Sequence, residues 1–197
     1  MKRLSAFLLA ALLLAPPLAA AQRYTELKPP QPTEAGGKIE VVEFFWYGCI
    51  HCYNLEPALE GWLKQLPPDA QFRRVPAVFN PRWEHDARIF YAFEALGLLE
   101  KLHRPFFDAI HRDRLRSDDP KALAQWLQKQ GLDAQKFTDV MKSFSVHSRT
   151  QRAKLMTAGY KIDGTPAIAV DGRYTVSAGE GMLDTVSQLI GQARKQR

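Results

Sequence analysis

The stretch of sequence that decides the fold reads VVEFFWYGCIHCY and covers residues 41–53. It begins as an apolar run rich in β-branched and aromatic residues, which is typical of a buried strand. Gly48 ends that run, and Cys49 and Cys52 follow it. Beyond the cysteines, apolar residues recur at helical spacing, at Leu55, Leu59, Trp62, Leu63 and Leu66. The two cysteines are therefore expected where a strand is followed by the N-terminus of a helix.

The position of the cysteines determines what their thiols can do. A helix N-terminus carries unpaired backbone N–H groups and the positive end of the helix dipole, and both favour a thiolate over a thiol. Cys49 comes first and is expected to feel this field most strongly. Cys52 lies one turn further on, close enough to close a disulfide with Cys49, and His51 between them adds a positive charge when it is protonated. This pattern favours redox chemistry.

Three other uses of such a cysteine pair fit the sequence less well. A structural zinc site needs four ligands, and the chain has neither a further cysteine nor two histidines at metal-binding spacing. Covalent haem attachment requires a histidine directly after the second cysteine, where Tyr53 stands. A purely stabilising disulfide is disfavoured because so short a loop removes little entropy from the unfolded chain. We therefore expect no bound metal and no organic cofactor.

Residues 1–21 have the composition of a secretory signal peptide. A positively charged start precedes an apolar run over residues 4–14, and the alanines at 19–21 form a small-residue cleavage site. We expect cleavage after Ala21. An uncleaved membrane anchor is the alternative, but the apolar run is short for a membrane span. Export would place the cysteine pair in an oxidising compartment, where disulfides persist.

Length and charge narrow the class of protein further. The remaining chain of about 175 residues suits one domain, or one domain that carries an insertion. Its formal charge of +6 becomes +4 when residues 1–21 are removed. The basic residues are scattered and are not interleaved with aromatic residues as on a nucleic-acid-binding surface. We expect no nucleic-acid partner.

The type of periodicity divides the chain into units. Residues 22–37 form an extended, proline-containing lead-in, and from 80 to 150 the apolar spacing is helical. Strand patterns stand on both sides of that helical block, so the outer units are expected to share one sheet. The predicted strands cover 39–45, 71–79, 165–170 and 173–176, and the predicted helices outside the block run from the cysteines to Leu66 and over 181–194.

Several motifs together resemble one known family. The residues WxxCxxC at 46–52, Pro57 five residues after the second cysteine, and Gly-Thr-Pro-Ala at 164–167 resemble a thioredoxin fold, and FFxYxCxHCY at 44–53 is typical of one family with that fold. With the helical insertion and the signal peptide, the chain resembles the DsbA family of periplasmic thiol:disulfide oxidoreductases. The resemblance implies an α/β fold, with a thioredoxin-like domain at 38–79 and 151–197 and an inserted all-helical domain at 80–150.

The resemblance also implies two supporting elements of the site. In the family, the proline that corresponds to Pro166 is cis and faces the active-site disulfide, which gives Thr165-Pro166 that role here. The family's buried acid falls on Glu43. A buried carboxylate is expected to be protonated or paired, and the sequence offers Arg73 and Arg74 as partners without choosing between them.

The dipeptide between the cysteines departs from the family pattern. Ile50 stands where the DsbA type usually has proline, whereas His51, the main determinant of thiolate stability in the family, is kept. The redox potential of the pair is therefore left open by the sequence.

The predicted activity is exchange between a redox-active Cys49–Cys52 disulfide and reduced or unfolded exported proteins. A substrate thiolate attacks Cys49, and a second substrate thiol then displaces it, while Cys52 is the buried resolving partner. The resemblance implies reoxidation by an inner-membrane, quinone-linked oxidase of the DsbB type, and we expect a monomer. Two alternatives stay open: a periplasmic isomerase or reductase, and a non-catalytic binder of unfolded secreted chains.

Overall fold

A five-stranded mixed sheet organises the computed structural model, which describes residues 23–197. The predicted signal peptide lies outside the described residues. The strand order is β1-β5-β4-β2-β3, and β2 pairs parallel with β3 and antiparallel with β4. The strands are β1 (Thr25–Glu26), β2 (Ile39–Phe45), β3 (Ala70–Pro76), β4 (Ala167–Val170) and β5 (Tyr174–Ser177).

Strand β2 lies inside the sheet, between β4 and β3, and every one of its residues is buried. Its parallel neighbour β3 requires a crossover, which helix α1 (Ile50–Leu63) provides. The helix ends three residues before the predicted Leu66. After Leu63 the hydrogen bonds span three residues, as in a 3₁₀-helix: Gln65 N–H donates to the Trp62 carbonyl and Leu66 N–H to the Leu63 carbonyl. Two prolines follow directly. Pro57 lies inside the helix, as predicted.

The two faces of the sheet are covered by different helices. On one face, Val41 and Ile168 pack against Val186 of the closing helix α7 (Met182–Arg194). Val42 and Phe44 point to the other face, into the core that the sheet shares with the helical block. This alternation of sides follows from the two-residue period of a strand.

The helical block follows β3 and continues to β4. Its helices begin at polar cap residues: Asn80, Asp119, Asp133 and Ser143 each accept a backbone N–H of the helix that follows. The helices are α2 (Pro81–Ala95), α3 (Leu99–His111), α4 (Pro120–Lys129), α5 (Ala134–Met141) and α6 (Phe144–Gly159). The predicted α/β class is confirmed, with helices between the two parts of the sheet.

Two details add to the sequence-based picture. The lead-in is not wholly irregular, because β1 within it adds an antiparallel edge strand to β5. The predicted boundary at residues 150–151 falls inside α6, which is one continuous helix. The division into domains stays a prediction. Within residues 23–197 no helix is both long enough and apolar enough to cross a membrane.

Candidate active site

Cys49 caps the N-terminus of α1. It has extended backbone angles (φ −85°, ψ 113°), and its sulfur accepts the backbone N–H of Cys52 at 3.3 Å. Serine, threonine or aspartate usually occupies this position because a side-chain acceptor satisfies an otherwise unpaired N–H. A thiolate can fill the same role. The helix start predicted from the sequence therefore places the Cys49 sulfur on the exposed N–H groups of the helix.

The loop before β4 meets this cysteine from a distant part of the chain. The peptide bond between Thr165 and Pro166 is cis. The Cys49 sulfur lies 3.3 Å from the carbonyl oxygen of Thr165, to which it can donate only while it is protonated. Strand β4 brings this loop beside the end of β2, because the two strands pair antiparallel. The structure thus brings together the cysteine motif and the Thr165-Pro166 loop that the sequence separates by more than a hundred residues.

The pKa of Cys49 is lowered from an ordinary value of 9.0 to about 5. A hydrogen bond from the Cys52 thiol is the largest cause, and it outweighs the partial burial that favours the neutral thiol. The Thr165 side chain and the backbone N–H groups of Cys52 and His51 stabilise the thiolate further. His51 itself is exposed. At neutral pH the Cys49 sulfur is therefore a thiolate, on the outside of the fold.

Cys52 has the opposite environment. Its side chain is fully buried, and burial is the main cause that raises its pKa well above the ordinary value. The neighbouring Cys49 sulfur and the Glu43 carboxyl raise the pKa further, because each disfavours a second negative charge nearby. Both cysteines are free thiols in this structure. Cys52 is thus a protonated, inaccessible thiol one turn from an exposed thiolate.

The register of β2 and β3 selects the partner of the buried acid. Glu43 lies opposite Arg74, whose Nε donates to Glu43 Oε2 at 3.1 Å. Arg73 instead pairs with Glu40 on the other face of the strand, at 3.0 Å. Burial raises the pKa of Glu43 to about 8, with the Arg74 guanidinium opposing the shift. Glu43 is consequently a carboxyl that gains and loses a proton near neutral pH.

Comparison with known proteins identifies the family of this constellation. A family model described as a DSBA-like thioredoxin domain matches residues 40–191. The thiol:disulfide interchange protein DsbA of Bordetella parapertussis is 44% identical over 181 residues, which cover 89% of this chain and 86% of the relative. The chain belongs to the DsbA family. The DsbA of Azotobacter vinelandii is 40% identical over 178 residues, covering 88% of this chain and 83% of that protein.

Solved structures of DsbA proteins share the whole fold. A crystal structure of the oxidoreductase DsbA from Xylella fastidiosa superposes with a TM-score of 0.83 at 31% identity, over 89% of this chain and 97% of that one. The fold is therefore thioredoxin-like with inserted helices, as the sequence predicted. Membership of the DsbA family makes the chain a thiol:disulfide oxidoreductase that introduces disulfide bonds.

Sequence reasoning missed how this DsbA-family site is tied to the inserted helices. Arg74 also reaches Glu56 of α1 at 3.2 Å, and His103 of α3 lies 3.5 Å from the same carboxylate. The Tyr47 hydroxyl and His103 Nδ1 are 2.9 Å apart. Burial lowers the pKa of His103, which leaves it neutral. Glu56, four residues after Cys52, carried a weak signal as a charge on the inner face of a helix, but nothing in the sequence linked it to His103.

Among residues 23–197 there is no group of three or more histidine, cysteine, aspartate or glutamate side chains that could bind a metal ion.

Proposed function

We propose that this DsbA-family protein oxidises pairs of thiols in exported proteins, with Cys49 as the exchanging sulfur and Cys52 as the resolving one. The observation that carries the proposal is the asymmetry of the pair. Cys49 is half-exposed with a pKa of about 5, whereas Cys52 is buried with a raised pKa. A sulfur that is accessible and stable as a thiolate is both the site of attack and a good leaving group.

The exchange proceeds in two steps from the oxidised protein. A substrate thiolate attacks the Cys49 sulfur, a mixed disulfide forms, and the Cys49–Cys52 bond breaks with its electron pair on Cys52. A second substrate thiolate then attacks the substrate sulfur of the mixed disulfide and expels Cys49 as a thiolate. The substrate has lost two electrons and holds a disulfide, and the protein holds the two electrons as a dithiol.

Glu43 is proposed as the proton source for Cys52. The sulfur that leaves in the first step is buried, where an anion is costly, so it requires a proton at once. Glu43 influences the Cys52 sulfur electrostatically, and its own pKa of about 8 makes it a carboxylic acid during much of the cycle at neutral pH. The Arg74 guanidinium stabilises the buried Glu43 carboxylate after the proton has left.

The Thr165-Pro166 loop is proposed to position the substrate. The Thr165 carbonyl lies beside the Cys49 sulfur, at the edge where β4 begins, and leaves backbone groups next to the reacting atom. An extended substrate segment that lies along this edge would bring its own cysteine to Cys49 without a separate binding domain.

The proposed function includes a periplasmic location and a membrane-bound oxidase that reoxidises the cysteine pair. Cleavage after Ala21 would release the protein into the periplasm, where its substrates emerge reduced and unfolded. An inner-membrane, quinone-linked oxidase of the DsbB type would restore the disulfide by the reverse exchange. The protein would act as a monomer, because the reacting pair and the positioning loop lie in one chain.

A pair of single-cysteine variants tests the assignment. Purified Cys52→Ser should form a stable mixed disulfide at Cys49 when mixed with glutathione disulfide at pH 6, because its thiolate is exposed and no resolving thiol remains. Cys49→Ser should react at least about a hundredfold more slowly, since its one thiol is buried and protonated. Mass spectrometry of the adducts gives both rates. Equal rates of adduct formation in the two variants would contradict the assignment of Cys49 as the exchanging sulfur and Cys52 as the resolving one.

The activity itself is tested with the wild-type protein. The oxidised form should convert a reduced two-cysteine peptide to its disulfide with the loss of one Cys49–Cys52 bond per peptide. A protein that binds the peptide without oxidising it would be a non-catalytic binder, which would contradict the proposal. The equilibrium constant for thiol–disulfide exchange with glutathione then gives the reduction potential of the cysteine pair, which distinguishes an oxidant from a reductase.

A further inference from the structure

The indole of Trp46 lies directly over the active-site loop. A methyl group added at Gly48 would come within 2.3 Å of the indole, so the ring covers the residue that precedes Cys49. The Trp46 carbonyl accepts the Cys49 N–H at 2.9 Å. Trp46 is only partly buried. Its ring is thus part of the surface that a substrate meets beside the reactive sulfur.

Two further aromatic rings extend this surface onto the inserted helices. Trp83 of α2 stacks on Trp46, with ring centroids 4.3 Å apart and an angle of 12° between the planes. Phe79 packs edge-on against Trp83 at 4.8 Å and is 42% exposed. Trp46, Trp83 and Phe79 form a row of rings, here called the aromatic row, that runs from the active-site loop to the start of α2.

A buried carboxylate holds the first ring of the row in place. The Trp46 indole N–H donates to Asp86 Oδ2 at 2.7 Å, and Asp86 is 1% exposed. Ser117 and Arg82 donate to the other carboxylate oxygen at 2.7 and 3.1 Å. Among the described residues, Trp46 is the one hydrogen-bond donor to Oδ2. The other two contacts lie within the helical block and fix Asp86 itself.

We infer that Asp86 is a positioning residue for substrate recognition: it fixes the Trp46 indole over Gly48 and so pre-forms the aromatic row for an aromatic or large aliphatic side chain of the substrate. The inference rests on the proposed function and adds a contact that the exchange chemistry does not require. Asp86 touches neither cysteine. Its effect passes through Trp46, so it should alter binding of a peptide and leave the reaction of Cys49 with a small thiol unchanged.

Geometry favours this role over a purely structural one. A carboxylate placed only to anchor the insertion would be satisfied by Ser117 and Arg82, whose own contact of 2.8 Å closes that cluster. The second oxygen is instead directed across to the active-site loop of the sheet. A buried hydrogen bond to a charged acceptor is stronger than one between neutral groups, and the stacked Trp83 limits the remaining rotation of the Trp46 ring.

The experiment compares oxidation of two reduced peptides by Asp86 and Trp46 variants. One peptide carries phenylalanine next to its cysteine and the other carries serine. Asp86→Ala should raise KM for the phenylalanine peptide about five- to tenfold, on the scale of the net contribution of one hydrogen bond, with a much smaller change for the serine peptide. The rate with glutathione should not change. Asp86→Asn, whose amide oxygen can still accept the indole N–H, should restore most of the affinity.

Two controls separate positioning from stability. In a Trp46→Phe background, which has no indole N–H, Asp86→Ala should add nothing further to KM. Glu84→Gln removes an ion pair with Arg88 on the same helix without touching Trp46, and should leave KM unchanged. Near-ultraviolet circular dichroism should lose the signal of the stacked indoles in Asp86→Ala and keep it in Glu84→Gln.

The outcomes are distinguishable. An equal rise in KM in the Trp46 and Trp46→Phe backgrounds would make Asp86 a structural residue and overturn the inference, as would an unchanged KM in a folded Asp86→Ala protein. Should Asp86→Ala fail to fold, Trp46→Phe alone must raise KM for the phenylalanine peptide. Failure of the wild-type protein to oxidise either peptide would instead overturn the proposed function.

Discussion

Cys49 and Cys52 are separated by two residues, yet their sulfurs lie in opposite environments. Cys49 is the cap of α1, half-exposed, and in contact with backbone N–H groups. Cys52 is in the first turn of the same helix, fully buried, and close to the Glu43 carboxyl. The pKa falls to about 5 at the first position and rises at the second.

The pKa values of the two thiols differ because the residues occupy different positions at the start of the helix. At the cap position an anion meets unpaired N–H donors, whereas one turn inward the donors are already used and the surroundings are apolar. The two effects reinforce each other, because the protonated Cys52 thiol donates to the Cys49 thiolate. A disulfide between such unequal sulfurs gains a stabilised product when it is reduced, which is the property of an oxidant.

The largest expected effect of this asymmetry is on stability. Reduced protein should be more stable than oxidised protein at pH 7. The Cys49 thiolate contributes about 1–2 kcal/mol after allowance for the half-exposed sulfur, and the entropic gain from closing so short a disulfide loop opposes it. The pKa of Cys49 is depressed in the folded state, so its contribution is full above the ordinary value of 9.0, shrinks as pH falls and is lost below about 5. Denaturant unfolding of both forms between pH 9 and pH 5 measures it.

His51→Ala sharpens the same experiment. Alanine keeps the backbone N–H that helps to hold the thiolate and removes only the imidazole. The advantage of the reduced form should narrow but persist. If it disappears, the imidazole and not the helix start is the source of the asymmetry. If oxidised wild type is the more stable form at pH 7, the protein is not a strong oxidant and the reductase or isomerase alternative becomes the better explanation.

A second pH-dependent effect on stability is expected from Glu43, the buried acid near Cys52. The pKa of Glu43 is raised by burial from 4.5 to about 8, so its contribution to stability is present at acid pH and is lost as pH rises from 4.5 to about 8. Glutamine does not titrate. In the oxidised state, where neither cysteine has a proton to lose, Glu43→Gln should therefore lose less stability over this interval than wild type. Identical pH dependence of unfolding in the two proteins would contradict the assignment.

Much of this site could be predicted from local sequence. The strand over 39–45 is recognisable as a mostly apolar run and the helix after it by apolar residues at helical spacing, and the strand–cysteine–helix order alone places Cys49 at a helix start. The Thr165-Pro166 loop could be placed beside it only through the family resemblance, because nothing local connects the two segments.

The other contacts of the site depend on strand register and on long-range packing, which cannot be predicted from the local pattern of a single sequence. The sequence does not distinguish Arg73 from Arg74 as a partner of Glu43. Only the register between β2 and β3 places Arg74 opposite Glu43. Nothing in the local sequence marks His103 and Asp86 as buried residues. Each becomes buried because the inserted helices fold back onto the active-site loop, where they meet Tyr47 and Trp46.

The central claim is that the two thiols of the reduced protein ionise far apart, with Cys49 first. Thiolate absorbance of the reduced protein should be titrated from pH 3 to pH 9, with iodoacetamide labelling and peptide mapping at pH 6 to assign the sulfur. The account predicts one transition near pH 5 that corresponds to a single thiolate, with the label on Cys49 and no second thiolate up to pH 9. Two thiolates that appear together near pH 8–9, or a label found first on Cys52, would contradict it.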